Sequence, residues 1–495
     1  VNARVGRCVY GASDAKAGAL GSLYDLNADS RLNHRFNVAT GVLADECREV
    51  LSGFFSGLRG TDGLAAVVGP ILRHMPLSEA LACAEDIAVE AVDFGAACRR
   101  PRRVLLAIDS FKGSVSSAQA EAAVAEGVRR VWPDAEVCTL PLADGGEGTL
   151  DAVAACGGEL VTCEVAGPLG ERVPARMLVD VERESAVIEM AEAAGIGLAL
   201  HGVVGAAAST YGVGELMLHA VRAGAKTIYI GLGGSATNDG GAGMLQTLGA
   251  RVVEIGLRVA PGLAGLEQVA SVDLAPALQA LDGARIVVLS DVENPLVGRR
   301  GALAVFGGQK GLPTGDAEAL SRCDSWMVGY GRLLDTAIVE ARAQGVAHTR
   351  GRTDFGSVLG VPGAGAAGGL GAALLALGAE LRSGVETVLD LVGFDERVRD
   401  VDLVITGEGN MDEQSAAGKA PVGVARRAKR YGKPVVAVVG GRADSWMRCM
   451  GRASIGASDL RKPMDLERAL DPQEAATNLI CAGEAAARSY DLARL

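Results

Sequence analysis

Short apolar runs, separated by stretches with helical spacing, recur between residues 104 and 439 and constrain the fold of this chain more than any other feature. The first run is continuous rather than alternating, as expected of a strand buried on both faces. Strands that alternate with helices form βαβ units, which build a mostly parallel sheet. The sequence therefore predicts an α/β protein. The runs are Val104–Ile108, Glu136–Leu142, Ala186–Met190, Thr227–Ile230, Arg285–Leu289, Leu403–Thr406 and Pro434–Val439.

The helix after the first run has predictable ends. Ser116 and Gln119 have the spacing of a capping box, in which each side chain bonds the backbone N–H of the other residue. Apolar residues follow at helical spacing as far as Trp132-Pro133, and proline disfavours helix at the residue before it. We therefore expect a helix that begins after Ser116 and stops at Trp132.

Residues 1–102 differ from the rest of the chain. Helical periodicity is present near Leu43–Leu58 and Leu77–Val92, but no chemical motif accompanies it. The segment ends in a charged, proline-containing junction, Arg99-Arg100-Pro101-Arg102-Arg103, which suits a linker. We therefore separate an N-terminal extension of unknown role.

Charge and cysteine spacing exclude several classes of protein. A net charge of −12 argues against a general binder of nucleic-acid phosphates. The ten cysteines are scattered and form no C-x-x-C pair, which predicts reduced thiols in a cytoplasmic protein. The stretch Phe355–Ala379 carries no charge, but Pro362 and its many glycines predict a loop and a buried helix rather than a membrane span.

Polar, glycine-containing loops follow five of the predicted strands. Ligands of open parallel sheets bind just past the carboxyl ends of the strands, so we expect these loops to share one edge of a sheet. Each loop alone is as compatible with a tight turn or a helix cap as with a site. The loops contain Asp109, Ser110 and Lys112; Asp144; Gly233, Gly234, Ser235, Thr237, Asn238 and Asp239; Asp291; and Glu408 with the nearby Lys419.

These loops combine carboxylates, lysines, hydroxyls and glycines that expose backbone N–H groups, and they lack a Ser-His-Asp set, a Cys-His pair and a metal cluster. That combination favours phosphoryl transfer, which depends on positioning and charge neutralisation. No G-x-x-x-x-G-K-[ST] motif is present, so the chain is not a P-loop enzyme. Two alternatives stay open: an NAD-linked oxidoreductase, on the fingerprint Gly363-x-Gly365-x-x-Gly368, and a ligand-binding regulator without catalysis.

At these loops the sequence resembles the bacterial glycerate kinase family, type I. The resemblance spans about residues 103–460, and residues 1–102 have no counterpart in it. The stretches that carry it include IDSFKGSVSSAQAEAAVAEGVRR (108–130), LADGGEGTLDAV (142–153), AVIEMAEAAG (186–195), IGLGGSATNDGGAGMLQTLGAR (230–251), SDVENPLVGRRGALAVFGGQKG (290–311) and DLVITGEGNMDEQSAAGKAPVGVARRAK (402–429).

The resemblance implies a flavodoxin-like α/β domain, residues 103–159 and 283–495, and an inserted α/β domain of different topology, residues 160–282. It implies that ATP with Mg²⁺ phosphorylates a hydroxyl of D-glycerate to a phosphoglycerate, with the 2-phospho isomer expected. The partners would be glycerate and ATP, without nucleic acid or membrane, and a homo-oligomer is compatible with this interpretation.

The loops and the resemblance together yield a hypothesis for the site. We expect Asp144, Asp291 and Lys112 to be catalytic and the two aspartates to bind the metal. The residues expected to bind substrate or phosphate are Asp109, Ser110, Gly233, Gly234, Ser235, Thr237, Asn238, Asp239, Lys310, Glu408 and Lys419.

Overall fold

The computed structural model describes residues 7–9, 37–39, 101–199, 206–254, 257–345, 356–411, 419–442, 455–459 and 470–492. The chain divides into two compact units, Val1–Ala97 and Cys98–Leu495. In the first unit, β1 (Arg7–Val9) pairs in parallel with β2 (Asn37–Ala39). The helical stretches predicted at 43–58 and 77–92 lie outside the described residues.

An all-parallel sheet of five strands organises part of the second unit. If its strands are numbered by their order in the chain, they lie in the order 2-1-3-4-5, which is the flavodoxin-like order. The α/β prediction with a flavodoxin-like sheet is therefore confirmed. In spatial order the strands are β4 (Glu136–Thr139), β3 (Arg103–Ile108), β14 (Leu403–Met411), β15 (Val435–Arg442) and β16 (Ile455–Asp459).

A mixed sheet of six strands forms between β4 and β14 of the chain. Four of its strands run parallel: β7 (Ser185–Glu189), β8 (Thr227–Gly231), β12 (Arg285–Leu289) and β13 (Glu380–Arg382). The strand β6 (Arg172–Asp180) is antiparallel to both of its neighbours. In spatial order the strands are β13 (Glu380–Arg382), β12 (Arg285–Leu289), β8 (Thr227–Gly231), β7 (Ser185–Glu189), β6 (Arg172–Asp180) and β5 (Glu159–Ala166). A small antiparallel sheet adds β9 (Arg251–Glu254), β10 (Leu257–Arg258) and β11 (Ser271–Asp273).

Sheet membership places the second crossing between the sheets later than the sequence predicts. Arg285–Leu289 and Glu380–Arg382 were expected in the flavodoxin-like part, but they pair with strands of the mixed sheet. The chain returns to the parallel sheet only at Leu403. The division of residues 103–495 at 159/160 and 282/283 stays a prediction, because the second unit is one compact body.

Helices cover the sheets, and the first of them confirms its predicted ends. The side chain of Ser116 accepts the N–H of Gln119, the Gln119 side chain accepts the N–H of Ser116, and Trp132 ends the helix. The helices are α1 (Ser117–Val131), α2 (Thr149–Ala154), α3 (Ala191–Ala194), α4 (Tyr211–Arg222), α5 (Ala242–Thr247), α6 (Ala275–Ala280), α7 (Ala302–Phe306), α8 (Ala317–Ala343), α9 (Ala366–Ala376), α10 (Gly384–Leu391), α11 (Phe394–Val398), α12 (Ala420–Arg430) and α13 (Pro472–Leu492).

The strand β3 is buried on both faces, as predicted. Val104, Leu106 and Ile108 pack with α1 and α13, whereas Leu105 and Ala107 pack on the other face with α10, α11 and α12. Alternate residues of a strand point to opposite faces, so a strand between two helical layers is apolar throughout.

The uncharged stretch before β13 also behaves as predicted. Every residue of α9 is buried against the mixed sheet and its neighbouring helices. Across the described ranges, no helix is both long and apolar enough to cross a membrane.

A buried carboxyl joins α1 to the end of β3. Glu121 is fully buried, and its Oε1 accepts the N–H of Ile108 at 3.1 Å. Burial raises its pKa to about 8, although the backbone hydrogen bonds oppose this rise. The folded protein therefore keeps a proton that the unfolded chain releases near pH 4.5, so this group contributes stability that is lost as the pH rises from about 4.5 to about 8.

Glu121→Gln is expected to reduce the loss of stability between pH 5 and pH 9, because the amide has no proton to release. Thermal unfolding of the parent and the variant at both pH values measures the effect. Glu126→Gln, on the exposed face of the same helix, is the control and should keep the pH dependence of the parent. The assignment fails if the melting temperatures of Glu121→Gln and the parent fall equally over this range.

Candidate active site

Asp109 and Glu408 lie side by side at β3 and β14. These are the two neighbouring strands between which the strand order of the parallel sheet, 2-1-3-4-5, reverses. Asp109 directly follows β3, its N–H donates to the carbonyl of Gly407 at 3.0 Å, and Glu408 is the next residue of the adjacent strand β14. Both carboxyl side chains are buried. Burial and, to a smaller extent, the nearby carboxylate of Asp144 together raise the pKa of Asp109 to about 7. Ligands bind at this switch point in open α/β sheets, so the two residues mark the expected site.

Lys112 and Asp144 form an ion pair beside Asp109. The Lys112 Nζ lies 3.5 Å from Asp144 Oδ2, and the lysine side chain is 61% exposed. Burial of its stem opposes the charged form, but Asp144 and Asp109 outweigh this effect and raise the pKa of Lys112. The ammonium therefore stays charged at neutral pH and is accessible to an anionic ligand.

The glycine-rich loop after β8 is held by a buried aspartate. Asp239 Oδ2 accepts the N–H of Thr210 at 2.8 Å, the Thr210 hydroxyl at 2.9 Å and the N–H of Gly243 at 3.2 Å, while Oδ1 accepts the N–H of Gly241 at 3.0 Å. Burial raises the pKa of Asp239, and these hydrogen bonds oppose the rise. The carboxylate thus fixes the loop against the first turns of α4 and α5.

Lys310 supports the same loop from a buried position. Its Nζ donates to Ser235 Oγ at 2.7 Å and to the carbonyl of Thr237 at 2.9 Å, and only 3% of the residue is exposed. Burial lowers the pKa of Lys310 to about 7, whereas the nearby Asp239 acts in the opposite direction. Thr237 and Asn238 are buried as well, so Ser235 is the partly exposed polar side chain of this part of the loop.

Asp291 lies just beyond β12 at the start of α10. Its Oδ1 accepts the N–H of Gly384 at 3.1 Å. The surrounding protein partly desolvates the carboxyl and raises its pKa; hydrogen bonds from Ser383 and Gly384 oppose the rise, and the charge of Asp144 adds to it. Gly384, which donates to Asp291, also lies against the backbone of Asp144, so the two predicted metal-binding residues are near each other.

Glycines bring the loops of the two sheets together. A Cβ atom built on Gly233 would lie 2.5 Å from the Cα of Gly146, and one built on Gly231 would lie 2.4 Å from the carbonyl oxygen of Gly145. A Cβ on Gly384 would overlap the carbonyl oxygen of Asp144 at 2.0 Å. The loops therefore meet, but the expectation of one shared sheet edge is wrong, because they come from the edges of two different sheets.

Lys419 is the N-cap residue of α12 and is partly exposed. Residues 412–418, which link it to β14, lie outside the described residues. Ser110 donates its N–H to Asp109 Oδ1 at 2.6 Å and so belongs to the loop that carries Lys112.

The glycines of the predicted dinucleotide fingerprint have a packing role. Residues 356–362, directly before Gly363, form no strand, so the strand–turn–helix context is missing there. A Cβ on Gly365 would lie 2.3 Å from the carbonyl oxygen of Pro295, and one on Gly368 would lie 1.9 Å from that of Thr237. These glycines let α9 approach the loops after β12 and β8, which leaves the NAD alternative without structural support.

The carboxylates fit a magnesium ion that also binds a substrate phosphate. Within the described ranges, no group of three or more His, Cys, Asp or Glu side chains could hold a metal ion by itself. Mg²⁺ in phosphoryl-transfer sites needs only one or two carboxylates, because water and phosphate oxygens complete its octahedron. Asp144 is partly exposed, so it and Asp291 match this requirement.

Sequence reasoning missed the residues that hold the Asp144 loop in place. The hydroxyl of Thr149 donates to the carbonyl of Gly146 at 2.7 Å, and Glu189 Oε1 accepts the N–H of Leu150 at 2.7 Å. Glu189 lies within the predicted strand Ala186–Met190, and no polar, glycine-rich loop follows that run, so the loop pattern gave no signal for Glu189.

The chain is similar to several known proteins. A model of the glycerate kinase family matches residues 104–491. The chain is 41% identical to a glycerate kinase of Halalkalibacterium halodurans over 68% of this chain and 85% of the relative. It is 42% identical to the glycerate 2-kinase of Escherichia coli over 69% of this chain and 86% of that one. A crystal structure described as a putative glycerate kinase 2 from Salmonella typhimurium matches with a TM-score of 0.64 and 40% identity, over 79% of this chain and 98% of that one.

Proposed function

This chain belongs to the glycerate kinase family and is an enzyme of that kind, and we propose that it transfers the γ-phosphoryl group of ATP to a hydroxyl of D-glycerate. The expected product is 2-phosphoglycerate, because the E. coli relative is named a glycerate 2-kinase. The observation that carries the proposal is that two sets of loops meet at one junction. One set follows strands of the parallel sheet, and the other follows strands of the mixed sheet. The first set supplies Lys112, Asp109 and Asp144, and the second supplies the glycine-rich loop and Asp291.

We propose that the cations and backbone N–H groups of this junction hold the anionic ends of the two substrates. Lys112 is accessible and charged, so it would neutralise a phosphate or carboxylate directly. The loop from Gly233 to Asp239 would present N–H groups and the Ser235 hydroxyl to the same ligands. Lys310 would add positive charge from the buried side of that loop, where it bonds Ser235 and Thr237. Glu408 and Lys419 would also bind the substrates.

We propose that Asp144 and Asp291 share two tasks. They would hold the Mg²⁺ that accompanies ATP, and this ion would neutralise charge on the phosphates. One of them would also accept the proton of the glycerate hydroxyl as the O–P bond forms and ADP leaves. We further propose a cytoplasmic location and no nucleic-acid partner; a homo-oligomer is compatible with the proposal.

The proposal predicts turnover with D-glycerate that depends on both ATP and Mg²⁺. The purified full chain would be assayed for ADP release with glycerate, with glycerol and with 2-hydroxy acids, and the phosphorylated product would be identified by NMR. Glycerate should be the preferred acceptor, because Lys112 pairs with a carboxylate that glycerol lacks. Turnover of glycerol but not glycerate would contradict the proposal, and glycerate-dependent reduction of NAD would favour the oxidoreductase instead.

A further inference from the structure

Glu189 is a buried carboxyl outside the site residues predicted from sequence. It is the last residue of β7, and it pairs in register with Gly231 of β8, the first residue of the glycine-rich loop region. Only 5% of the residue is exposed. It therefore lies in the mixed sheet at the level where the two sets of loops meet.

Three hydrogen bonds, linked to one another through the backbone, connect Glu189 to Asp144. Glu189 Oε1 accepts the N–H of Leu150 at 2.7 Å, and the preceding Thr149 donates its hydroxyl to the carbonyl of Gly146 at 2.7 Å. The N–H of Gly146 then donates to Asp144 Oδ1 at 3.2 Å. The position of the Asp144 carboxylate is thus tied to a strand of the mixed sheet, although Asp144 follows a strand of the parallel sheet.

Arg176 of β6 makes a second connection to α2, the helix that contains Leu150. Its Nη1 lies 2.9 Å from Asp151 Oδ1 of α2, and its Nη2 lies 2.7 Å from Glu192 Oε1 of α3. These ion pairs are partly exposed, so each is worth little alone. The buried bond from Glu189 to Leu150 is the stronger candidate for fixing α2, because a buried N–H left without an acceptor loses its hydrogen bond to water and gains none in return.

We infer that Glu189 is a positioning residue that fixes Asp144 against the glycine-rich loop. The inference rests on the proposed role of Asp144. Catalytic groups must be held within a few tenths of an ångström, and a misplacement of about 1 Å can cost roughly 100-fold in rate. The Glu189 bond supplies this constraint because it joins β7, which pairs with β8 just before the glycine-rich loop, to α2, which follows the Asp144 loop.

Glu189→Ala removes the acceptor for Leu150 and is expected to lower kcat by about 10-fold or more, with KM for glycerate and ATP changed by less than about threefold. Glu189→Gln keeps an acceptor oxygen. Burial raises the pKa of Glu189 to about 7, so glutamine is also a close mimic of its protonated form. Glu189→Gln should therefore restore kcat to within about threefold of the parent. Equal kcat in Glu189→Ala and the parent, or no recovery in Glu189→Gln, would overturn the inference.

Amide hydrogen exchange over residues 144–150 gives a readout that does not depend on the proposed reaction. Exchange should be faster in Glu189→Ala and unchanged in Asp402→Ala, the matched control. Asp402 also accepts backbone N–H groups, from Arg102 at 2.7 Å and Arg103 at 3.0 Å, but at the opposite edge of the parallel sheet. Unchanged exchange in Glu189→Ala refutes the inference, whereas faster exchange in a chain without glycerate turnover refutes the proposed function only.

Thr149→Val keeps the test decisive if Glu189→Ala does not fold. Valine has the shape of threonine but removes the hydroxyl that bonds Gly146. The same fall in kcat and the same faster exchange are expected, and parent-like values of both would overturn the inference.

Discussion

Asp144→Asn is expected to lower kcat by at least about 100-fold, the lower end of what a positioned acid or base contributes. Asparagine keeps an oxygen that can accept the N–H of Gly146, so the loop should keep its shape. The substitution removes the negative charge that pairs with Lys112 and that raises the pKa of Asp109. On the proposed roles, the site would therefore lose a carboxylate that holds Mg²⁺ or accepts the hydroxyl proton, while the fold remains.

Steady-state kinetics at saturating ATP and glycerate, together with the melting temperature, measure this effect. Asp134→Asn is the control, because Asp134 is exposed in the turn before β4, at the opposite edge of the parallel sheet. Its kcat should match that of the parent. A kcat of Asp144→Asn within about threefold of the parent would remove Asp144 from the catalytic residues and leave Asp291 as the better candidate.

Asp291→Asn is expected to lower kcat by at least about 100-fold with little change in melting temperature. The structure also supports an alternative, in which Asp291 only caps α10 through the N–H of Gly384. The two roles differ in magnitude, because a lost cap costs about 1 kcal/mol of stability and leaves the rate nearly intact. Asparagine can still accept the Gly384 N–H, so a large fall in kcat would report the missing charge.

Asp316→Ala shows what the loss of a cap alone does in this protein. Asp316 caps α8 by accepting the N–H groups of Glu318 at 3.1 Å and Ala319 at 2.9 Å. We expect a lower melting temperature and an unchanged kcat. If Asp291→Asn leaves kcat within about threefold of the parent, whether or not its melting temperature falls, Asp291 is a structural cap and its catalytic role is refuted.

Local features of this chain were predictable because their physics is local. The capping box of Ser116 and Gln119 depends on residues three positions apart, and the burial of Val104–Ile108 follows from an apolar run without alternation. Both are present as predicted. The flavodoxin-like order of the parallel sheet came from the family resemblance rather than from any single run.

Features that depend on contacts distant in sequence were not predictable in the same way. The apolar runs at β7, β8 and β12 resemble the runs of the parallel sheet, so the loops after β8 and β12 were expected at the same sheet edge as the loops after β3 and β14, whereas β8 and β12 belong to the mixed sheet. Similarly, no sequence pattern indicated that Asp239 and Lys310, both expected to bind substrate or phosphate, also hydrogen-bond the glycine-rich loop and its neighbours. The direction in which a side chain points beyond a strand depends on the partners that the fold brings to it.

The contact between Gly146 and Gly233 has a consequence for how this enzyme tolerates sequence change. Main-chain atoms alone set the spacing at that point, since neither residue carries a side chain. Mutations that exchange one core side chain for another of equal volume, deep in either sheet, should leave the distance between the two halves of the site untouched. The enzyme can therefore accumulate neutral substitutions in its interior while the dimensions of the reaction centre stay constant.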